Sequence, residues 1–289
     1  MEWFIIALLA AVLNALKNIA TKKVSFNSDQ YTVAWASNLL SLPFLFGALF
    51  LSGIPQVDNR FWILVLAMMP FEIVVNLLFF KAIKDSALSE AIPFVSFLPL
   101  FVALGAFFIL KEQLSPILIV ALVLLSLGAY IMNIEKETWR DILAPFRILF
   151  TNTGSILIII VTIIWGLLYP LGKLATEYSS AYFFPTVYFT LSTILFTPIF
   201  LLKSKNGLQS IKKQAINYGL VGLLTGLFLI TTWVSLSLGP MAGVNALTEL
   251  GIPLTVIFAG TFLKEKGLKK RLVATSVMFL GALLIILKS

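Results

Sequence analysis

Cysteine and histidine are both missing from the 289-residue chain. Without cysteine there are no disulfides and no thiolate metal sites. Without histidine the commonest metal ligand and general base is gone. Charge is scarce too: charged residues make up 12% of the chain, about half the share in a soluble domain. No glycine-rich loop is followed by Lys and Ser/Thr, which argues against an ATP-driven pump on one chain. No cofactor is expected. The N-terminus, Met1-Glu2-Trp3-Phe4, has no basic stretch ahead of its apolar run, so no cleavable signal peptide is expected either.

What the chain has in abundance is apolar surface. Hydrophobic residues make up 60% of it, more than a water-soluble fold of this length hides. Lipid is the natural solvent. Spanning a bilayer takes about 20 mostly apolar residues in a helix. Ten such segments are legible, at roughly 2–20, 31–52, 61–82, 88–110, 115–133, 154–172, 182–202, 214–237, 242–263 and 269–287. The predicted fold class is therefore an all-α membrane protein of about ten transmembrane helices.

Charge placement tests that count. The net charge is +8, which by itself would fit nucleic acid. The Lys and Arg residues instead fall in loops. With ten helices, 16 basic residues lie in the loops of one side and 4 on the other, and Lys17 is left inside the first helix. The positive-inside rule puts the basic, odd-numbered loops in the cytoplasm and both termini outside. No nucleic-acid partner is expected.

The longest connection, 134–153, divides the chain into one five-helix repeat at 1–133 and another at 154–289. The connection carries Trp139, Ile142, Leu143 and Phe146 at helical spacing, which fits either a short interfacial helix or a solvated linker. The halves resemble each other. Ile109-Leu110-Lys111-Glu112 recurs as Phe262-Leu263-Lys264-Glu265, and Leu127-Gly128-Ala129 as Leu280-Gly281-Ala282. Pro99 matches Pro253 with a one-residue slip, and Asn14 through Lys22 aligns loosely with Trp165 through Lys173. Five is odd, so two such repeats sit inverted in the membrane, an arrangement common in transporters.

These residues resemble the drug/metabolite transporter superfamily, and within it the EamA-type group with ten helices in a five-plus-five repeat. The resemblance rests on the proline-bearing fourth and ninth helices, the acidic residue after each (Glu112, Glu265), the Gly-Ala pairs, and Trp165-Gly166. At the position matching Trp165-Gly166, the first half has Asn14-Ala15, a departure from the pattern. The resemblance implies a secondary transporter. The expected location is the inner (plasma) membrane of a prokaryote, and no enzymatic activity is expected, since the chain has no histidine and short loops. The resemblance does not name the solute.

Ionisable residues inside a bilayer cost at least about 2.5–3.5 kcal/mol at a helix centre and so face a cavity or a partner. Glu72 lies mid-helix, with Asn76 one turn on. Glu249 has Asn245 one turn before it and Pro253 one turn after. Lys17 lies between Asn14 and Asn18. Each has a plainer reading: Lys17 can snorkel to the interface, and either Glu can be a structural tie. Trp165, Tyr169 and Trp233 fit a cavity wall or an interfacial belt equally well. Together these residues are the candidate substrate-binding or coupling site. A cavity with two carboxylates and one Lys suits a zwitterion such as an amino acid, or a cationic amphiphile. The coupling partner is either a proton, carried on Glu72 or Glu249, or the solute itself in exchange. The glycines of the fifth and tenth helices predict close packing or a homodimer contact. The competing classes are a membrane-embedded enzyme, which needs a catalytic cluster the residues do not supply, and a non-transporting subunit.

Overall fold

The computed structural model describes residues 2–85, 92–133, 153–255 and 268–288. The expected interfacial linker and the Phe262–Glu265 motif lie outside these residues. The described chain is helical throughout: α1 Trp3–Ser25, α2 Gln30–Ser52, α3 Asn59–Asp85, α4 Leu98–Gly105, α5 Pro116–Asn133, α6 Thr153–Glu177, α7 Phe183–Lys203, α8 Ala215–Leu238, α9 Met241–Thr248 and α10 Leu268–Lys288. A short surface helix, Gly207–Lys213, links α7 to α8. Among the described residues, six helices (α1, α2, α3, α6, α7 and α8) are long and apolar enough to cross a membrane. Large apolar side chains such as Leu51, Leu66 and Leu202 point outward on these surfaces, as lipid allows and water does not.

Two helices are irregular, and they occupy matching places in the two halves. α4 is preceded by a 3₁₀ turn, Ile92–Phe97, and runs into a π turn, Ala106–Leu110, that ends on left-handed Lys111 with φ 58°. α9 is interrupted at Glu249–Leu250 before helix resumes at residues 251–255. Proline explains the second break. Pro253 has no N–H to give the Glu249 carbonyl four residues back, and that carbonyl takes the Ile252 N–H at 3.0 Å instead. Backbone of this kind is tolerated at membrane depth only where protein or a cavity surrounds it.

The helix pairs follow the repeat. α1 packs on α8, and its counterpart α6 packs on α3. α4 packs on α6, and its counterpart α9 packs on α1. α2 meets α7, and α5 meets α10. Exchanging the halves exchanges these pairs. The α5–α10 contact depends on glycine at both ends. A Cβ on Gly128 would stand 2.5 Å from Met278 Cγ and 2.8 Å from the Ala274 carbonyl oxygen, and one on Gly281 would stand 2.8 Å from the Ala121 carbonyl oxygen. The expected close packing is thus made within one chain. Gly128→Val should lose about 1–3 kcal/mol through overpacking, read as a lower thermal-unfolding midpoint in detergent. Gly219→Val, where no atom lies within 4 Å, should leave the midpoint unchanged.

At the end rich in basic residues, Asp29 caps α2 and ties it to the end of α7. Its carboxylate accepts from the Thr32 N–H at 2.9 Å, the Thr32 hydroxyl at 2.8 Å and the Ser204 hydroxyl at 2.8 Å. Partial burial pushes its carboxyl up, but the hydrogen bonds from Thr32 and Ser204 outweigh burial and hold it below the usual carboxylate range. A depressed folded-state value means the stabilisation is complete above the unfolded value of about 3.9 and is lost as pH falls through the folded one. Asp29→Asn keeps a capping oxygen but not the charge. Its melting midpoint should sit below the parent's at neutral pH, and the gap should close on acidification below about pH 4.

Candidate functional site

Four helices each present a stripe of side chains, one turn apart, to a common chamber. α3 gives Met68 and Glu72; α6 gives Trp165, Leu168 and Tyr169; α7 gives Phe184, Tyr188 and Phe189; α8 gives Phe228, Leu229, Thr232 and Trp233. Leu98 of α4 completes the wall. The chamber holds about 280 Å³. Its aromatic rings contact one another: Phe184 meets Trp233 edge-on at 4.5 Å between centroids, and Tyr169 lies stacked with Trp233 at 6.5 Å. Trp165, Tyr169 and Trp233 all face this space.

Glu72 is held by neutral groups. Tyr188 donates its hydroxyl to Oε2 at 2.9 Å, and Asn76 donates Nδ2 to Oε1 at 3.1 Å; Asn76 Nδ2 also reaches the Glu72 carbonyl oxygen at 2.8 Å. The one-turn spacing read from the sequence brings the pair together as a hydrogen bond. Ser192 contributes a further hydrogen bond from α7. None of these partners carries charge.

Beyond Trp165 a second, larger cavity of about 610 Å³ runs toward the basic end. Its lining is polar where the chamber's is aromatic: Lys17, Asn18 and Thr21 from α1, Ser37 and Asn38 from α2, and Asn76 from α3 all border it, and it reaches Ser28 and Gln30 at the α1–α2 turn. Lys17 Nζ lies 4.3 Å from the Phe228 ring centroid, where the two cavities approach each other. Lys17 and Glu249 attract each other electrostatically. Asn18 donates to Thr255 Oγ1 at 3.3 Å, which ties α1 to the second limb of the broken ninth helix.

Asn14 and Asn245 stand apart from both linings. Asn14 packs where the Gly251 backbone passes close, since a Cβ on Gly251 would lie 2.8 Å from Asn14 Nδ2. Asn245 is buried, and its side-chain oxygen finds no hydrogen-bond partner among the described residues. The polar candidates read from the sequence, Lys17, Glu72, Asn76, Asn245 and Glu249, lie on the first, third and ninth helices. In the structure the chamber wall comes from α3, α4, α6, α7 and α8. Reasoning from polar residues picked out α9 and passed over α7, whose contribution is mostly aromatic. Phe184 and Tyr188 lie four apart and so share a face of α7, but spacing does not say what that face meets.

The end poor in basic residues is tied shut across the halves. Lys173 Nζ lies 2.8 Å from Glu112 Oε1 and donates to the Gly239 carbonyl oxygen at 2.7 Å, while the Met241 N–H donates to the same Glu112 oxygen at 2.8 Å. The two side chains are only 13% and 17% exposed, so water screens the pair weakly. Glu112 follows the π turn after α4, Lys173 is near the end of α6, and Gly239 and Met241 flank the α8–α9 turn. Sequence reasoning placed Lys173 and Glu112 in the repeats but did not pair them. Spacing puts Lys173 on the Trp165–Tyr169 face of α6 but does not name its partner. Lys173→Met and Glu112→Gln should each lower the melting midpoint. In a double-mutant cycle they should couple by about 1–3 kcal/mol.

Comparison with known proteins agrees with this architecture. No curated protein matches the chain. One solved structure, described only as "Crystal structure of protein", superposes with a TM-score of 0.79 at 13% identity, covering 100% of this chain and 99% of that one. At that identity the likeness establishes a shared fold. The model of the EamA-like transporter family matches twice, over residues 1–134 and 152–287. Two matches in tandem account for nearly the whole chain as two repeats, and the chain belongs to the EamA-like transporter family.

Proposed function

We propose that the chain is a secondary transporter, working as an exporter, that moves a small polar or amphiphilic metabolite by alternating access. The observation that carries this reading is a chamber closed at one end and continued at the other. A carboxylate stands in an aromatic chamber, the Lys173–Glu112 tie lies at one end, and a polar vestibule leads toward the basic end. With the basic loops in the cytoplasm of a prokaryotic inner membrane, the vestibule faces the cytoplasm. A solute then enters from inside, passes Lys17 and Trp165, and meets Glu72. Release follows when the tie opens and the vestibule closes.

Glu72 is the coupling group in this scheme, and Glu249 beside Lys17 is the alternative. A carboxylate in the chamber can hold a proton or a solute in turn, so proton entry from outside drives solute out. The test is accumulation in reconstituted vesicles with and without an imposed pH gradient. Glu72→Gln should abolish gradient-driven accumulation yet keep solute exchange, while Glu249→Gln keeps both. If both variants accumulate solute like the parent, the carboxylates are structural and coupling at this site is wrong.

A further inference from the structure

The connection between α7 and α8 is short, and the apolar ends of the two helices pin it to the membrane plane. Leu201 and Leu202 at the end of α7 are 64% and 83% exposed, and Ile216 in the first turn of α8 is 90% exposed. Side chains of that kind belong in lipid. The helix Gly207–Lys213 between them therefore lies at the bilayer surface, at the end rich in basic residues.

Helical spacing gives this segment two faces. Gly207, Ser210 and Ile211 turn inward, with Gln214 after them. Ile211 packs against the cluster that includes Val24, Val33 and Tyr218. A Cβ on Gly207 would stand 2.5 Å from Phe200 Cε2, Ser204 Oγ and Thr32 Oγ1, so the backbone sits directly on α2 and α7. Ser210 donates to the Asn27 carbonyl oxygen at 3.0 Å and shares a hydrogen bond with Ser28 at 2.5 Å, and Gln214 Nε2 donates to Ser28 Oγ at 3.3 Å. Leu208, Gln209, Lys212 and Lys213 turn outward and are exposed, with Lys203 and Lys205 exposed just before them.

The outward face has one sign. From Leu201 to Ile216 there are four lysines and no Asp or Glu. Among the described residues none of the four pairs with a carboxylate. Asp29, the acid of the network beneath, already accepts from Thr32 and Ser204. Leu208 stands one turn before Lys212, so an apolar side chain and an ammonium share one side, as in helices that lie in the headgroup region. We infer that this face docks the anionic phospholipid headgroups of the leaflet at the basic end. Lys203, Lys205, Lys212 and Lys213 meet the phosphates, and Leu208 enters the acyl boundary. An acidic protein would match the charge, but the lipid-facing Leu202 and Ile216 on either side put headgroups, not water, beside the face. The inner hydrogen bonds hold the helix in place before any lipid arrives, which lowers the cost of docking. The same α1–α2 turn borders the vestibule through Ser28 and Gln30, so the lipid contact and the vestibule share one edge. The inference rests on the chain lying in a membrane and not on what the chamber carries.

The chain has no cysteine, so Gln209→Cys takes an environment-sensitive fluorophore at one known place on the outer face. The purified full-length protein, in a neutral detergent, is titrated with short-chain phosphatidylglycerol and with phosphatidylcholine of the same chain length. Phosphatidylglycerol should give a saturable blue shift at a concentration at least about tenfold below that needed with phosphatidylcholine. A lysine near an anionic surface is worth about fivefold in affinity. Lys212→Gln combined with Lys213→Gln should therefore weaken the phosphatidylglycerol response about twentyfold, and the matching pair of arginine substitutions should restore it. Equal responses to the two lipids would overturn the inference. So would a glutamine pair that melts cooperatively and responds like the parent. Inorganic phosphate or poly-L-glutamate acting at a lower concentration than phosphatidylglycerol would assign the face to a free anion or an acidic protein, and would overturn it too. The two-lipid comparison needs only the labelled protein, so it decides the preference even if a variant does not fold. Failure here leaves the transporter reading standing, because solute accumulation in vesicles is a separate measurement.

Discussion

Hydrocarbon cannot solvate a carboxylate, and the placement of Glu72 follows from that constraint. A charge at membrane depth has to be enclosed, and enclosure needs several helices to turn toward it. Here α7 comes with Tyr188 and Ser192, and Asn76 folds back from the next turn of α3. The apolar residues around the carboxylate are mostly aromatic rings, which fill the wall while leaving a space of solute size. The same rule governs the irregular backbone. The π turn after α4 and the break at Glu249 free peptide groups that lipid would leave unsatisfied, and both lie in helices packed against neighbours, α4 on α6 and α9 on α1.

Much of this was legible before any coordinates. Ten apolar runs, the basic bias of alternate loops and the recurrence of Lys-Glu and Gly-Ala motifs gave the helix count and the repeat. Those signals are local or periodic, so a sequence carries them directly. The Glu72–Asn76 pair was legible for the same reason, because two residues one turn apart share a face whatever surrounds them. Gly128 and Gly281 were read as packing residues, and their contact is made at the α5–α10 crossing.

The rest of the site depends on which helices become neighbours, and spacing within a helix does not encode that. Phe184, Tyr188 and Phe228 looked like three of many aromatics in a chain with 25 Phe. Only the packing of α7 and α8 beside α6 makes them a wall. Asn245 is a case of a different kind. A buried amide four residues before a carboxylate reads as a site residue, yet α9 turns it away from the chamber lining. The Lys173–Glu112 pair is separated by 61 positions in the chain, and no local pattern joins them.

The chamber and its closed end are mechanically linked through α6. Trp165 and Tyr169 form part of the wall, and Lys173, one turn further along the same face, holds the tie. Gly166 lets α6 seat tightly against α4, since a Cβ there would stand 2.5 Å from Phe101 Cβ. Gly172 does the same against Trp233 and Phe184, whose ring atoms lie 2.5 and 2.9 Å from where its Cβ would be. Close-packed contacts of this kind have few intermediate positions, because a shift of a fraction of an ångström already forfeits contact energy. α6 therefore cannot leave the α8–α9 turn at Lys173 while keeping its fit to Trp233 unchanged. In the proposed scheme, opening the tied end re-forms the chamber wall, and a solute that alters the packing of Trp165, Tyr169 or Trp233 acts on the tie without touching it. That is the linkage the proposed alternating-access scheme needs. It follows from two glycines, one helix face and the four-residue spacing along it.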